Sequence, residues 1–184
     1  MPGIVALRRQ FDALPDEVQN HFSKLRELLE NAHLEIALAY IFMLLEQGRY
    51  RAVKCILVRN LRCPSNLIDD MYKDYEFQRR TFLKTINDLV NVDLKNAPYN
   101  LLEQAEAVRD KTFHGRKPSD DVLRQAISNA LTFVVNFGSV IQTKTGKNPF
   151  GDLRGLASRL KMITNDQAKW IIKGVKMSGE ANSR

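Results

Sequence analysis

Residues 98–119 read PYNLLEQAEAVRDKTFHGRKPS and contain the clearest helix boundaries in the chain. Pro98 is typical of a first helical turn. Apolar residues then recur at the spacing of one helix face: Leu101, Leu102, Ala105 and Val108. Gly and Pro interrupt the pattern over 115–118, and Ser119 is a typical helix cap. The stretch therefore predicts one helix over 98–113, a break, and a second helix that begins at Ser119.

Helical periodicity continues on both sides of this stretch. No alternation typical of strands lasts more than a few residues, and no repeat of solenoid length is present. Breaks are expected at Gly48, at Cys63-Pro64 and in the Asn-rich segment 91–97, and a bend is possible at residues 31–33. The remaining predicted helices cover residues 15–47, 50–61, 65–89 and 119–143. We therefore expect an all-α fold, an antiparallel bundle of about five helices.

The composition changes after residue 143. Residues 145–151, TGKNPFG, are typical of a loop, and two shorter amphipathic helices are predicted to follow. Thr164 and Gln167 have the spacing of a capping box at the start of the second. We therefore expect three parts, namely a helical body over 1–143, a basic helical extension over 144–177 and a disordered tail over 178–184.

The extension carries most of the positive charge. The whole chain has a net charge of +7, and residues 144–176 contain eight basic and two acidic residues. A basic segment on a nearly neutral body suits a polyanion such as RNA, although it is also compatible with a solvated face that binds nothing specific. Lys169, Lys173 and Lys176 fall on one face of the last predicted helix. Trp170 beside them either stacks on a base or anchors the helix in a core, and the core reading is the commoner one.

Length, cysteines and hydropathy limit the class of protein. With 184 residues, 44% hydrophobic and 27% charged, the chain suits one globular domain with an appendage. Cys55 and Cys63 lack metal-ligand spacing and are expected to be free thiols in a reducing compartment. The longest apolar run, 36–45, is shorter than the roughly 20 residues of a membrane-spanning helix. We expect a cytoplasmic protein with no membrane partner, no metal and no cofactor.

The side chains best suited to proton transfer and phosphate binding lie in one stretch, Arg109-Asp110-Lys111-Thr112-Phe113-His114-Gly115. Cleavage of RNA without a metal requires a proton acceptor for the 2′-hydroxyl, a proton donor for the 5′-oxygen and charge stabilisation at the phosphate. An imidazole serves either proton transfer, and a guanidinium binds phosphate oxygens. Arg116 and Lys117 follow directly and are candidates to hold a substrate phosphate.

This stretch resembles the motif of the HEPN family. Those helical ribonucleases carry an Arg, four to six residues and then a His, often with Asp, Asn or His after the Arg. The resemblance implies that Arg109 binds the phosphate, His114 is the general acid or base, and Asp110 orients one of them. It also implies a metal-independent endoribonuclease that acts as a homodimer, with a toxin or defence role and an antitoxin or activating protein as partner.

Other interpretations of these residues remain open. Positions five apart on a straight helix are about 140° apart, so Arg109 and His114 converge only if the helix ends between them or if two protomers meet. Arg109 is alternatively an ion-pair partner of Glu103 or Glu106, with His114 as a simple helix cap. The chain would then be a non-catalytic module that binds nucleic acid or protein through its basic extension, or a structural or regulatory dimer.

Overall fold

A computed structural model describes residues 1–73, 79–90 and 99–180, and these residues contain helices, turns and irregular segments but no strand. The predicted all-α class is confirmed. In chain order the helices are α1 (Ile4–Asp12), α2 (Asp16–His21), α3 (Leu25–Glu30), α4 (Leu34–Arg59), α5 (Ser65–Tyr72), α6 (Arg79–Val90), α7 (Tyr99–Phe113), α8 (Asp120–Thr145) and α9 (Asn165–Glu180).

Contacts group the described residues into two compact units. The first takes in Met1–Gln47 and the described part of Lys95–Ser139. The second takes in the described parts of Gly48–Leu94 and Val140–Arg184. The C-terminal residues thus share a unit with α5 and α6. A HEPN-like domain over 1–143 with an extension over 144–177 stays a prediction.

The first unit has an apolar core with a polar cluster at its edge. Its buried side chains include Leu7, Phe11, Phe22, Leu25, Leu29, Leu38, Ile41, Leu102, Ala105, Ile127, Leu131 and Phe133. At the edge, the Gln10 amide donates to the Ser128 carbonyl at 3.1 Å and accepts from the Ser128 hydroxyl at 2.8 Å. The Asn129 amide donates to Gln104 at 3.1 Å, which ties α8 to α7. The core and this hydrogen bond therefore hold α7, the helix that leads into the candidate motif, in place.

The second unit explains why Gly48 does not end a helix. The helices predicted over 15–47 and 50–61 meet in the continuous α4, so the expected break at Gly48 is wrong. A Cβ atom at Gly48 would overlap the ring of Phe150, which is itself fully buried. The glycine therefore serves close packing inside a helix, a role that local helix propensity does not reveal.

The N-terminal part of the predicted 15–47 helix is instead divided into α2, α3 and the start of α4. Ala32 has a φ of +54°, which no α-helix accommodates, so the possible bend at residues 31–33 is a true break. α1 was not predicted. The helix predicted over 65–89 includes α5 and α6, and residues 74–78 between them and the expected loop at 91–97 lie outside the described residues.

The C-terminal part has one helix where two were expected. Residues 154–159 form turns, with Gly155 at φ +71° and Arg159 at φ +60°, so the first of the two predicted helices is absent there. The capping box at the start of α9 is confirmed, since the Thr164 amide donates to Gln167 at 3.1 Å and the Gln167 amide to the Thr164 hydroxyl at 3.3 Å. α9 reaches Glu180, so residues 178–180 of the predicted tail are helical; the last four lie outside the described residues.

Candidate functional site

The end of α7 has a defined local geometry. The Gly115 amide donates to the Thr112 carbonyl at 3.1 Å, and the Arg116 amide donates to the Lys111 carbonyl at 3.0 Å. Gly115 has a φ of +75°. These two hydrogen bonds and the left-handed glycine form a Schellman motif, in which His114 is the C-cap residue. The helix therefore ends where the sequence predicted it would, directly at the candidate imidazole.

Arg109 is held rigidly on the buried face of α7. Its side chain is only 8% exposed, and its Nε and Nη2 both donate to Oδ1 of Asp110, at 3.0 and 2.5 Å. Its Cζ lies 4.5 Å from the centroid of the Phe42 ring on α4. Neighbouring residues on a helix point about 100° apart, so the long Arg109 side chain bends toward its neighbour's carboxylate. Asp110 thus orients Arg109 in this structure.

Arg109 also lines a cavity of about 230 Å³ in the first unit. The other lining residues come from α4 and the last turn of α7: Glu35, Ile36, Leu38, Ala39, Thr112 and Phe113. Phe113 is 70% exposed and Ile36 is 58% exposed. Arg109 therefore contributes to a hollow whose surface is almost wholly apolar.

His114 is exposed at the end of the helix and does not line this cavity. Its backbone amide donates to the Asp110 carbonyl at 3.0 Å, which fixes the position of the residue while leaving the ring free. Within the part of the chain that the structure describes, the imidazole makes no hydrogen bond or ion pair. The imidazole is thus accessible five residues after Arg109, and the two side chains do not line a common cavity.

Arg116 and Lys117 are exposed in the segment after His114. Lys117 lines a second cavity in the same unit, of about 400 Å³, together with His33, Glu35 and Asp120. Glu35 and Ile36 line both cavities, so the two hollows are neighbours. Lys117 shares its hollow with the carboxylates of Glu35 and Asp120, and Glu35 also lines the largely apolar hollow beside Arg109.

The three lysines predicted to bind nucleic acid have different surroundings in the second unit. Lys169 and Lys173 are exposed, and Lys169 pairs with Asp166 at 3.7 Å. Lys176 is partly buried: its Nζ donates to the Met71 carbonyl and lies 4.9 Å from the centroid of the Tyr72 ring. Lys176 thus fastens α9 to α5. Lys169 and Lys173 are left as the accessible cations of this face.

Trp170 was expected to be a core anchor, and that expectation is wrong. The indole is 76% exposed on α9, whereas Ala168 and Ile172 are fully buried. The helix has a buried apolar stripe, and Trp170 lies outside it. Residues two apart on a helix point in nearly opposite directions, so Trp170 lies on the side of α9 away from Ala168 and Ile172.

Both cysteines are buried free thiols in the second unit. Burial raises the pKa of the Cys55 thiol from an ordinary 9.0 to about 11, against the opposing effect of nearby cations such as Arg51. Burial alone raises the pKa of Cys63 to about 11 as well. Both thiols are therefore poor nucleophiles at neutral pH.

Across residues 1–73, 79–90 and 99–180, no three His, Cys, Asp or Glu side chains cluster in a way that would hold a metal ion. In the same residues, every helix is too short or too polar to cross a membrane. Comparison of the chain with protein families, with curated proteins and with solved structures found no match.

Sequence reasoning missed the surroundings of Arg109. Phe42 lies 67 positions earlier in the chain, and no local pattern links it to Arg109. The apolar run 36–45, which was considered only for its length, contains Ile36 and Met43, and they are 58% and 52% exposed. They are seven positions apart, two helical turns, which places them on the same side of α4.

Proposed function

We propose that the end of α7 is the active site of a metal-independent endoribonuclease of the HEPN type. The observation that carries the proposal is the pairing of a fixed Arg109-Asp110 unit with an exposed His114 on a structured helix cap. Catalysis by positioned groups requires that they be held before the substrate arrives. Arg109 meets that requirement through Asp110 and Phe42.

In the proposed reaction, the 2′-oxygen attacks the adjacent phosphorus and the bond from phosphorus to the 5′-oxygen breaks. One proton leaves the 2′-hydroxyl and another is delivered to the departing 5′-oxygen. The products are a 2′,3′-cyclic phosphate and a free 5′-hydroxyl. His114 carries one of these protons, and Arg109 stabilises the charge that develops on the phosphate oxygens. Arg116 and Lys117 hold neighbouring phosphates of the RNA.

The reaction moves two protons, whereas each motif contains one imidazole. A homodimer in which two motifs share a cleft supplies one imidazole for each transfer, and we propose that arrangement. The exposed apolar residues near Arg109 suit such a contact: Ile36, Met43 and Phe113 are each more than half exposed. Sedimentation equilibrium of the wild type and of Phe113→Ser tests this, with a dimer expected for the wild type and a weakened dimer for the variant.

The test of the activity is cleavage of a mixed-sequence single-stranded RNA in excess chelator. We expect wild-type protein to cleave it and His114→Ala to be inactive. Glu103→Ala is the matched control, because Glu103 is an exposed residue of the same helix with no assigned role. Equal cleavage by the wild type and His114→Ala would contradict the proposal.

The resemblance extends this proposal to a toxin or defence effector of the cytoplasm that is restrained or activated by a protein partner. Free, buried cysteines are in keeping with a reducing compartment. A different function is favoured by the exposed Trp170 and its lysines, namely binding of nucleic acid without cleavage. A wild-type protein that binds RNA but does not cleave it would support this second function.

A further inference from the structure

Trp170 is the only tryptophan in the chain, and its large apolar ring lies in solvent. Burial of such a ring would normally contribute to stability, so 76% exposure on a regular helix is unusual. The helix does not need the indole for packing, because Ala168, Ile172 and Val175 form its buried stripe. The exposed ring is therefore available to a ligand.

The surroundings of the ring are cationic. Lys169 and Lys173 are neighbours of Trp170 on α9, both are exposed, and the three side chains line a hollow of about 140 Å³. The segment 144–176 that contains them has a net charge of +6 by residue count. An aromatic face beside two ammonium groups complements a ligand that alternates flat rings with phosphates.

One turn further along, Gly174 leaves the surface beside the indole open. It is exposed, and a Cβ atom placed there would meet nothing within 4 Å. Residues four apart on a helix are neighbours on its surface, so the gap adjoins Trp170. Glycine inside a helix costs about 1 kcal/mol relative to alanine. Packing inside the described residues does not require this glycine, whereas close approach of a ligand to the helix does.

The helix that carries this surface, α9, packs against other helices of its unit. Lys176 donates to the Met71 carbonyl and lies over the Tyr72 ring, and α9 contacts both α5 and α6. The capping box of Thr164 and Gln167 fixes the first turn. Trp170 thus lies on a helix that is capped at its first turn and attached to α5 through Lys176.

We propose that this surface, formed by Lys169, Trp170, Lys173 and Gly174, binds single-stranded nucleic acid. A base stacks on the indole over the gap at Gly174, and the flanking phosphates contact Lys169 and Lys173. A duplex is a poor ligand here, because its bases already stack on each other inside the helix. The proposal does not depend on cleavage at the end of α7.

The experiment uses the full chain and a single-stranded DNA oligonucleotide, which lacks the 2′-hydroxyl and so cannot undergo the proposed cleavage. Because Trp170 is the only tryptophan, its fluorescence reports directly on stacking. We expect saturable quenching that weakens as salt rises. A duplex of the same sequence should bind at least tenfold more weakly, and base-free polyphosphate should not quench.

Variants are compared by anisotropy of a labelled oligonucleotide, which does not require the indole. Trp170→Ala should weaken binding about tenfold, and Trp170→Phe should restore part of it. Lys169→Ala and Lys173→Ala should each reduce the slope of log K against log salt by about 0.7. Lys144→Ala, an exposed lysine outside the surface, should weaken binding less than either of them.

Three results would overturn the proposal. Equal affinity for the single strand and the duplex would show a general polyanion site. Unchanged affinity in Trp170→Ala would show that the indole does not contact the ligand. Absence of binding to every oligonucleotide would leave a protein as the partner of the exposed ring.

Discussion

The end of α7 and the exposed face of α9 present cations in opposite ways. Arg109 is 8% exposed and is held by a carboxylate and an aromatic ring, whereas Lys169 and Lys173 extend into solvent beside an exposed indole. Fixed groups suit chemistry, since their orientation is determined before substrate binds. Exposed groups on a regular helix suit attraction and stacking, which tolerate variation in the ligand. The two surfaces therefore differ in how firmly their cations are held.

The largest expected effect concerns catalysis at the α7 end. His114→Ala should reduce cleavage by about 10²- to 10⁴-fold, the usual contribution of a general acid or base. Because His114 is exposed, the free energy of unfolding should change by less than about 0.5 kcal/mol. Initial cleavage rates and urea unfolding of the same preparation measure both. If the variant is inactive because it is unfolded, the role of His114 is structural and not catalytic.

Arg109→Ala should lower both stability and activity. It removes a buried side chain from the Phe42 ring and from Asp110, and we expect a loss of about 2 kcal/mol in the free energy of unfolding. Arg109→Lys should recover part of the stability but little activity, because an ammonium lacks the planar fork. Full activity in Arg109→Lys would argue against a role for the guanidinium.

Stability at alkaline pH should depend on the unit that contains α9, because both cysteines lie in that unit. Burial raises the pKa of each thiol from 9.0 to about 11. A raised pKa in the folded state contributes stability that is fully present below pH 9 and is lost as pH rises through 11. Urea unfolding should show a lower free energy of unfolding at pH 10 than at pH 8. The decrease should be smaller in the Cys55→Ala/Cys63→Ala double variant. An equal decline in both proteins would assign the loss to other groups.

A smaller effect is expected at the helix end itself. Gly115 has a φ of +75°, and Gly115→Ala should cost about 1 kcal/mol because alanine is strained in that conformation. Displacement of the cap should also reduce cleavage. Gly115→Asn, which tolerates the left-handed region better, is the matched control. Equal stability of the two variants would show that the cap geometry is not fixed as described.

The smallest expected effect is a gain in stability on α9. Gly174→Ala should stabilise the protein by about 0.5–1 kcal/mol, because alanine has the higher helix propensity and the added Cβ meets nothing within 4 Å. Thermal unfolding of wild type and variant measures the gain. Loss of stability would mean that the space beside Trp170 is occupied in the folded protein.

The sequence was sufficient to predict helix ends and caps where residues close in the chain determine them. The helix end at Gly115, the start of α8 near Ser119 and the capping box before α9 involve residues within a few positions of each other, and all three agree with the structure. The all-α class followed from periodicity in the same way. Local hydrogen bonds and backbone preferences are properties that a short segment carries with it.

Prediction was less successful where distant residues decide the outcome. Gly48 looked like a break because glycine is a weak helix former, yet the ring of Phe150, about 100 positions later, packs against it. The support of Arg109 by Phe42 and the exposure of Trp170 depend on which helices pack together, which periodicity does not specify. The buried and exposed sides of a short amphipathic helix are especially uncertain when an aromatic residue lies between lysines.

The central claim is attack by the 2′-hydroxyl at the end of α7, and the most direct test is the chemistry of the product ends. The wild type is incubated in excess chelator with one RNA oligonucleotide and with its 2′-deoxy counterpart, and the fragments are identified by mass spectrometry. The account predicts cleavage of the RNA alone, with 2′,3′-cyclic phosphate and 5′-hydroxyl ends that are absent with His114→Ala. Cleavage of both oligonucleotides, or 5′-phosphate ends, would contradict it.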